Sequence, residues 1–145
     1  SSENKNISLK NLSKILTTEN IEFINLQYGD TLEERQKFKS EFGVDLLNID
    51  SLDLMNDFEG LSALISSCDL ILTITNATAQ LAGAIGKPTW VMLHINPHWE
   101  WFLNRSDSLW YQNIKLFRQT QQGIWDNVIE NVYTELLNNI NKKNL

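Results

Sequence analysis

Hydrophobic and polar residues along this chain switch between two periodicities, and the clearest switch lies in its middle. The run 70–74 is short, apolar and partly β-branched, which is typical of a strand buried on both faces of a parallel sheet. The helix-capping residue types Thr75 and Asn76 follow, and 77–85 carries Ala, Leu and Ile at helical spacing. A second apolar run at 89–93 comes after a Gly-Lys-Pro stop, so this stretch predicts a right-handed βαβ unit.

The rest of the chain repeats this alternation of strand and helix patterns. Alternating or continuous apolar runs predict strands, and apolar residues at helical spacing predict amphipathic helices. The predicted strands are 21–28, 44–49 and 114–117, and the predicted helices are 8–17, 32–42, 58–65 and 125–140. The helix over 32–42 is expected to begin with a T-x-x-E capping box made by Thr31 and Glu34, and to end at Gly43.

Regular alternation of strands and helices predicts an α/β fold, specifically a Rossmann-like, doubly wound parallel sheet with helices on both faces. We expect all the apolar runs to join this sheet, centred on Phe23, Leu46, Ile71, Val91 and Leu116. The last two strands should be parallel, because the segment between them is long enough for a crossover. With 145 residues and 42% hydrophobic content, the chain is expected to form one domain with its own core. The predicted division is a linker and helix over 1–20, the α/β domain over 21–141 and a polar tail over 142–145.

Charge and cysteine content narrow the classes of partner. A net charge of −6 and a pI near 4.8 argue against nucleic acid, since such a partner needs clustered Lys and Arg. A single cysteine, Cys68, excludes an internal disulfide and fits a reducing cytoplasm, with a buried structural thiol favoured over a nucleophile. No apolar run approaches the ~20 residues that cross a bilayer, so we expect no membrane span. The chain starts at Ser1 without a Met, which suggests a fragment of a longer protein.

The turn after the first strand of the βαβ unit is the strongest candidate site. It comprises Thr75, Asn76, Ala77, Thr78, Ala79 and Gln80. Free backbone N–H groups at a helix start and the positive end of the helix dipole favour an anion there, most often a phosphate. Hydroxyl and amide side chains add further donors. Plain helix capping explains the same residues equally well, and the local sequence does not decide between the two interpretations.

Two further segments are expected at the same edge of the sheet. They are Gln27, Tyr28 and Gly29 at the end of the first strand, and Asn56, Asp57 and Phe58 at the start of a helix. A carboxylate at Asp57 suits a ribose or a base, and a ring at Phe58 suits stacking. The alternatives are a bare turn at Gly29 and an Asp N-cap followed by a core phenylalanine, and this last interpretation is locally the better one. If the sheet is parallel, all three segments converge on the carboxyl edge, where α/β sheets bind ligands.

Metal and dinucleotide sites are disfavoured by the spacing of the residues that would form them. His94 and His98 follow a strand, but no Cys or acidic partner occurs at ligand spacing. Gly83 and Gly86 do not form G-x-G-x-x-G, and they close a helix where that fingerprint opens one. We therefore expect no metal, no nicotinamide cofactor, and loop positions for both histidines.

Three longer blocks of sequence carry a resemblance to a known family. They read FINLQYGDTLEER, LDLMNDFEGLSALISSCDLILTITNATAQLAGAIGKPTWVML and HWEWFLNRSDSLWY…IKLFRQ. Together they resemble the C-terminal half of bacterial tetratricopeptide-repeat glycosyltransferases, relatives of the heptosyltransferases, over 21–137. The motifs that carry the resemblance are the D-L-[IV] strand, the A-x-L-A-G-A-[IL]-G-[KR]-P helix and the W-x-W…S-x-W-Y segment.

The resemblance implies a GT-B fold, of which this chain is the donor domain, and a nucleotide diphosphate sugar as substrate with no cofactor or metal. In that family a partner domain holds the acceptor and usually the catalytic base, so no catalytic residue is assigned here. The family turn reads approximately D-[NT]-[SG]-x-x-H, and this chain departs from it at Thr75, Ala77 and Gln80. A neutral Gln80 donates a hydrogen bond but cannot become cationic, so reduced donor affinity or turnover is expected.

The predicted function is therefore that of a cytoplasmic, donor-binding domain of a glycosyltransferase. It would bind a nucleotide diphosphate sugar for transfer to an acceptor held by an N-terminal acceptor domain, or work with a helical-repeat segment of the longer protein. Two alternatives stay open: a degenerate, non-catalytic module with a structural or interaction role, and a sugar-nucleotide epimerase of related architecture.

Overall fold

The computed structural model describes residues 7–27, 29–54, 56–74, 76–95 and 113–143, the side chains of 76 and 143 excepted. The chain divides into two compact units, one of Ile7–Leu61 and a second that includes Ser62–Leu145. The first unit contains α1 (Ser13–Leu16), α2 (Leu32–Phe42) and the start of α3 (Phe58–Ser67). The second unit continues with β1 (Ile71–Thr73), α4 (Asn76–Ile85), β2 (Thr89–Leu93), β3 (Ile114–Arg118) and α5 (Asp126–Lys143).

The strands of the second unit form a three-stranded parallel sheet in the order β1-β2-β3. β2 is the central strand, and all of its residues are buried. In the register of the sheet, Val91 lies opposite both Thr73 of β1 and Leu116 of β3. The predicted α/β fold with parallel strands is confirmed at this level, including the parallel pairing of the last two strands.

Helices α4 and α5 cover opposite faces of this sheet. The face under α4 is a buried cluster of small and branched side chains, namely Ala79, Val91, Leu93, Ile114 and Leu116. On the other face, the ring centroids of Trp90 and Phe117 lie 5.5 Å apart. Lys115 Nζ of β3 reaches Glu135 Oε1 of α5 there, at 3.0 Å. Because successive side chains of a strand alternate between faces, the two helices enclose the sheet between them.

The apolar runs over 21–28 and 44–49 do not form strands of a sheet, contrary to the prediction. Within the described residues they are joined by an isolated parallel bridge between Ile24 and Leu47. The predicted sheet of all the apolar runs is therefore reduced to the three strands of the second unit.

The buried side chain of Asn25 accounts for the shortness of this bridge. Its amide Nδ2 donates to Asn48 Oδ1 at 2.9 Å and to Thr31 Oγ1 at 3.0 Å. Only 8% of Asn25 is exposed, so these bonds satisfy a polar group that has little access to water. Side-chain hydrogen bonds of this kind compete with the extension of a strand ladder.

The capping box expected at α2 does not form. Thr31 makes no side-chain capping hydrogen bond, and Asp30 Oδ1 instead accepts from the Leu32 N–H at 3.1 Å. Glu34 Oε1 accepts from the Leu9 N–H at 2.7 Å, a partner 25 residues earlier in the chain. In a capping box this carboxylate would accept from the backbone at the helix start. Here the Glu34 carboxylate instead binds the N-terminal segment at Leu9.

A small hydrophobic core holds the first unit together. It is built from Leu9, Leu16, Phe38 and Leu46. The predicted helix over 8–17 is α-helical only at Ser13–Leu16. The Ser8 hydroxyl accepts from the Asn11 N–H at 3.2 Å, and this local bond favours hydrogen-bonded turns over a regular helix at the start of the segment.

The turn between α4 and β2 is anchored at the carbonyl oxygen of Lys87. Gly86 ends the helix at φ +88°, a left-handed conformation that glycine adopts without steric cost. Thr89 Oγ1 donates to Lys87 O at 2.8 Å, and Asn113 Nδ2, just before β3, donates to the same oxygen. One carbonyl therefore connects the end of α4 to the starts of two strands.

The longer helices otherwise follow the predicted elements. Gly43 ends α2 as expected, at φ +73° with its N–H donating to Lys39 O at 2.8 Å. α3 and α4 extend slightly beyond their predicted ranges, and α5 begins one residue later and ends three residues later than predicted. In the part of the chain that the structure describes, no helix combines the length and the apolar character needed to cross a membrane.

Candidate functional site

The first candidate site is the turn between β1 and α4, at the carboxyl edge of the parallel sheet. α4 begins at Asn76, and Thr75 lies outside the described residues. Ala77 is exposed, Thr78 is half-buried, and Ala79 is fully buried against β2 and β3. Backbone N–H groups in the first turn of a helix are the donors that bind an anion, and the small side chain at the exposed position 77 adds little bulk beside them.

The electrostatics of the α4 N-terminus differ from those of the other long helices. α2, α3 and α5 each carry acidic residues in the first turn, namely Glu33 and Glu34, Glu59, and Asp126. Such carboxylates offset the positive end of the helix dipole. The first turn of α4 contains no acidic residue, so its own sequence leaves that positive end available to an external anion.

Gln80 lies one turn further along α4 and is exposed. Its amide can donate a hydrogen bond but carries no charge at any pH near neutrality. The structure therefore places five of the predicted site residues on one helix start, Asn76 through Gln80, in the arrangement that the βαβ pattern predicts.

The segment at Gln27 and Gly29 forms an exposed turn in the first unit. Tyr28, the third residue predicted there, lies outside the described residues. The Gln27 N–H donates to Asn25 Oδ1 at 3.1 Å, and Gly29 adopts φ +88°. This geometry matches the bare-turn alternative, and a role of these residues in ligand binding stays a prediction.

The segment at 56–58 uses its polar side chains locally. Asn56 Nδ2 donates to Asp53 Oδ2 at 2.9 Å. Asp57 Oδ1 accepts from the Gly60 N–H at 2.8 Å, which is an N-cap of α3. Phe58, at the start of α3, is 68% exposed, which means that its ring lies largely in solvent. The expectation of a core phenylalanine is therefore wrong.

The predicted convergence of the three segments is not tested by the described geometry. Gln27, Gly29 and 56–58 belong to the first unit, and 76–80 belong to the second. A shared binding edge for all three segments therefore stays a prediction. The α4 turn is the part of the predicted site that can be built from contacts within a single unit.

Two residues that the sequence analysis did not single out also lie at the carboxyl edge of the sheet. Arg118 is the last residue of β3 and pairs in register with Leu93. It alternates with Phe117 and so shares its face of β3 with Leu116, which belongs to the cluster under α4. Arg118 is half-buried, and its carbonyl accepts from Asn127 Nδ2 at 3.3 Å. The guanidinium therefore belongs to the same face of the sheet as α4.

Gln119 follows directly and is only 4% exposed. Its N–H donates to Leu93 O at 2.9 Å, and its Oε1 accepts from the Ile95 N–H at 3.2 Å. The sequence held a weak signal, because Gln27 was selected for its place at the end of an apolar strand, and Arg118 and Gln119 also follow an apolar run. His94 occupies the equivalent position after β2, where it is half-buried.

The surroundings of Cys68 favour a neutral thiol. Burial raises the pKa of the Cys68 thiol, Lys87 lowers it and Asp69 raises it further. The thiol donates to Leu64 O at 3.3 Å. A raised pKa keeps the group in its neutral, unreactive form, in line with a structural role. Among the described residues, no cluster of three His, Cys, Asp or Glu side chains is placed to hold a metal ion.

Comparison with known proteins finds a relative whose alignment covers most of this chain. The chain is 34% identical over 123 residues to the protein FlbA of Caulobacter vibrioides. The alignment covers 84% of this chain and 20% of FlbA, so the chain spans about a fifth of the length of that relative. No family model matches the chain, and no solved structure matches it.

These findings overturn the resemblance to tetratricopeptide-repeat glycosyltransferases and heptosyltransferases. The similarity that the comparison finds is to FlbA, and no glycosyltransferase or tetratricopeptide-repeat model matches. Burial explains why the motifs gave a wrong family assignment. Ala79 and Ala82 of the A-x-L-A-G-A-I-G-K-P helix are fully buried. Small residues at these positions follow from close packing of a helix on a sheet, and such packing carries no family-specific chemistry.

Proposed function

We propose that this chain is a ligand-binding α/β domain that holds a phosphate-bearing small molecule at the carboxyl edge of its sheet. A nucleotide diphosphate sugar is the specific ligand expected. The observation that carries the proposal is the first turn of α4, which follows a parallel strand and contains no acidic residue. Both the sugar of this ligand and its transfer to an acceptor were implied by the overturned resemblance alone. The observation at α4 supports the phosphate, and transfer forms no part of the proposal.

The overall charge of the chain makes a local anion site necessary for such a ligand. With a net charge of −6, the long-range field of the protein repels a diphosphate. Binding must therefore come from short-range donors, and backbone N–H groups at a helix N-terminus provide them without a cationic side chain.

The proposal includes a finer fold, in which the three strands belong to a doubly wound, Rossmann-like sheet. The order β1-β2-β3 with parallel pairing is that of one half of such a sheet. In sheets of this class, ligands bind outside the carboxyl ends of the strands, and β1 leads into α4 at that edge.

A charge introduced at Thr78 tests the proposal. Calorimetric titrations near pH 6 with ADP, UDP, GDP and CDP compare the parent chain with Thr78→Glu and Gln80→His. A carboxylate at 78 lies against the expected phosphate, so we expect affinity to fall by about five- to a hundred-fold. Gln80→His is expected to raise affinity, because an imidazole is partly cationic at this pH.

The Thr78→Glu variant separates loss of binding from loss of folding. An acidic residue in the first turn of a helix stabilises it by roughly 0.3–1 kcal/mol, so the thermal midpoint should hold or rise while binding falls. Ala84→Glu is the matched control, since it adds the same charge at an exposed position near the other end of α4. Its affinity should equal that of the parent.

The outcomes distinguish the competing functions. Unchanged affinity in Thr78→Glu, while the parent binds, would remove the phosphate from this turn. Failure of the parent to bind any of the four nucleotides would favour a structural or interaction module. Turnover of a nucleotide sugar without an acceptor would favour an epimerase.

A further inference from the structure

We propose that the open edge of the extended segment 44–49 is a docking surface for a basic, extended peptide segment of a partner protein. The peptide pairs with this edge as an added strand, with apolar side chains at alternate positions and Lys or Arg at its ends. The surface, called the 44–49 edge below, lies entirely in the first unit. The proposal does not depend on the ligand proposed for the α4 turn.

One side of this segment is paired through its backbone, and the other side is open. Leu47 donates its N–H to Phe23 O at 3.0 Å and accepts from the Asn25 N–H at 2.8 Å. Backbone groups of successive residues in an extended chain point to opposite sides, so those of Leu46 and Asn48 point away from this pairing. No backbone hydrogen bond among the described residues uses them. They are therefore available to a further strand.

The face of the segment that points away from the core carries apolar side chains. Leu46 belongs to the buried core of the first unit, and Val44 packs against that core. Alternation along the segment turns Asp45, Leu47 and Ile49 to the other face. Leu47 is 43% exposed and Ile49 is 38% exposed, although open edges are usually protected by charged residues. Two apolar side chains on one face match the alternate side chains of an added strand.

The charge of the first unit selects the class of peptide. Ile7–Leu61 contains eleven Asp and Glu against five Lys and Arg, whereas the rest of the chain contains seven of each. The whole net charge of −6 therefore belongs to the unit that carries the 44–49 edge. Asp45 and Asp50 flank the two exposed apolar residues along the chain. A peptide with basic ends is attracted both by the field of the unit and by these flanking carboxylates.

The same carboxylates disfavour a second copy of this chain as the occupant. Pairing of two identical edges would bring Asp45 and Asp50 of one copy close to those of the other, and like charges opposite each other destabilise a strand pair. Lys39 Nζ lies 3.2 Å from Asp45 Oδ2, but this ion pair is exposed to solvent and offsets little of that repulsion. The edge therefore favours a basic strand over a copy of itself.

Fluorescence anisotropy with labelled peptides tests the proposal on the whole chain. The probe is KKTVTVTKK, in which Thr and Val alternate between lysine ends, and the charge control is EETVTVTEE. We expect saturable binding of the basic peptide, at least about ten-fold weaker binding of the acidic one, and a loss of affinity as NaCl is raised. Absence of saturable binding of KKTVTVTKK at low salt, or equal affinity for both peptides, would contradict the proposal.

Backbone methylation of the peptide separates strand pairing from simple charge attraction. N-methylation of the Thr and Val residues in KKTVTVTKK removes their amide donors and keeps every charge. We expect affinity to fall by at least about ten-fold, because the main-chain hydrogen bonds of an added strand are lost. An unchanged affinity would mean that charge alone attracts the peptide, and strand addition would be wrong.

Leu47→Lys places a positive charge on the edge, and we expect affinity for KKTVTVTKK to fall by roughly ten-fold or more. Leu32→Lys is the matched control, because Leu32 is 51% exposed in the same unit but belongs to α2. Both variants change the net charge by the same amount, so the control should keep nearly the parental affinity. Equal losses in the two variants would assign binding to net charge and remove the edge from the contact.

Thermal unfolding checks the fold of each variant, and Ile49→Lys is used if Leu47→Lys does not fold. A folded edge variant that binds the peptide with parental affinity would overturn the proposal. Sedimentation velocity of the chain without peptide tests a second copy as the occupant. We expect no dimer that depends on Leu47, and a dimer that Leu47→Lys dissociates would place a second copy on the edge instead of a basic peptide.

Discussion

At the scale of single residues, hydrogen-bond partners separate structural side chains from those available to a ligand. Asn56 and Asp57 looked like ligand contacts in the sequence, and both bond to partners three residues away along the chain. Phe58 looked like a core residue, yet 68% of it is exposed. The stabilising part of this segment is therefore polar, and its apolar side chain is the accessible one.

Capping of α3 by Asp57 gives a prediction that distinguishes a structural from a binding role. Asp57→Ala removes the acceptor for the Gly60 N–H, and we expect a loss of about 1 kcal/mol in the free energy of unfolding. Asp57→Asn keeps a side-chain oxygen at the cap and should lose only a few tenths. Urea unfolding measures both. If the two variants were equally destabilised, the carboxylate charge rather than the cap would be what matters here.

At the scale of secondary-structure elements, burial rather than residue type sets how much each helix contributes. Ile65 in α3 and Ile85 in α4 are both isoleucines near the C-terminal end of a helix. None of Ile65 is exposed, whereas 37% of Ile85 is. The same side chain therefore fills the core in one helix and lies partly in water in the other.

The comparison of Ile65 with Ile85 gives a prediction in which the exposed Ile85 is the control. Ile65→Ala should cost roughly 2–5 kcal/mol, because it leaves a cavity in a packed core. Ile85→Ala should cost far less, since its surroundings are open to solvent and alanine has the higher helix propensity. Chemical unfolding of the two variants under identical conditions measures the difference. Equal losses would mean that the burial of Ile65 does not support the second unit.

Elements defined by local pattern were predictable from the sequence. The β1–α4–β2 unit follows from apolar runs, cap residues and a Gly-Lys-Pro stop that are all adjacent in the chain. Predictions failed where a distant residue changed the outcome. Glu34 bonds to Leu9 rather than to its own helix start, and Asn25 bonds to Asn48 where a strand was expected to continue. Local pattern contains no information on such partners.

The candidate site also contains a part that was predictable from the sequence and a part that was not. The α4 turn was predictable because a strand, a cap and a helix follow one another directly. Arg118 and Gln119 were missed because their importance depends on register: only the pairing of Leu93 with Arg118 shows that β3 ends beside β2 at the same edge. The position of a short polar segment at the edge of a sheet can be assigned only when the neighbouring strand is known.

At the scale of the whole molecule, the two units should differ in how tightly their backbone hydrogen bonds are protected. β2 is buried along its length and pairs on both sides. The bridge of the first unit depends on bonds such as Asn25 N–H to Leu47 O at 2.8 Å, and Leu47 is 43% exposed. We expect amide hydrogens of β2 to exchange at least about a hundred-fold more slowly than those of the bridge. Hydrogen-exchange mass spectrometry measures this, and similar rates would contradict the difference.

The shared carbonyl of Lys87 has a consequence for how this chain can change over time. Thr89 and Asn113 both donate to that oxygen, so either donor satisfies it when the other is lost. As far as this carbonyl is concerned, each position tolerates the loss of its donor, whereas loss of both donors leaves the oxygen with neither side-chain partner. The two positions are therefore expected to be epistatic: the loss of one donor makes the later loss of the other more costly.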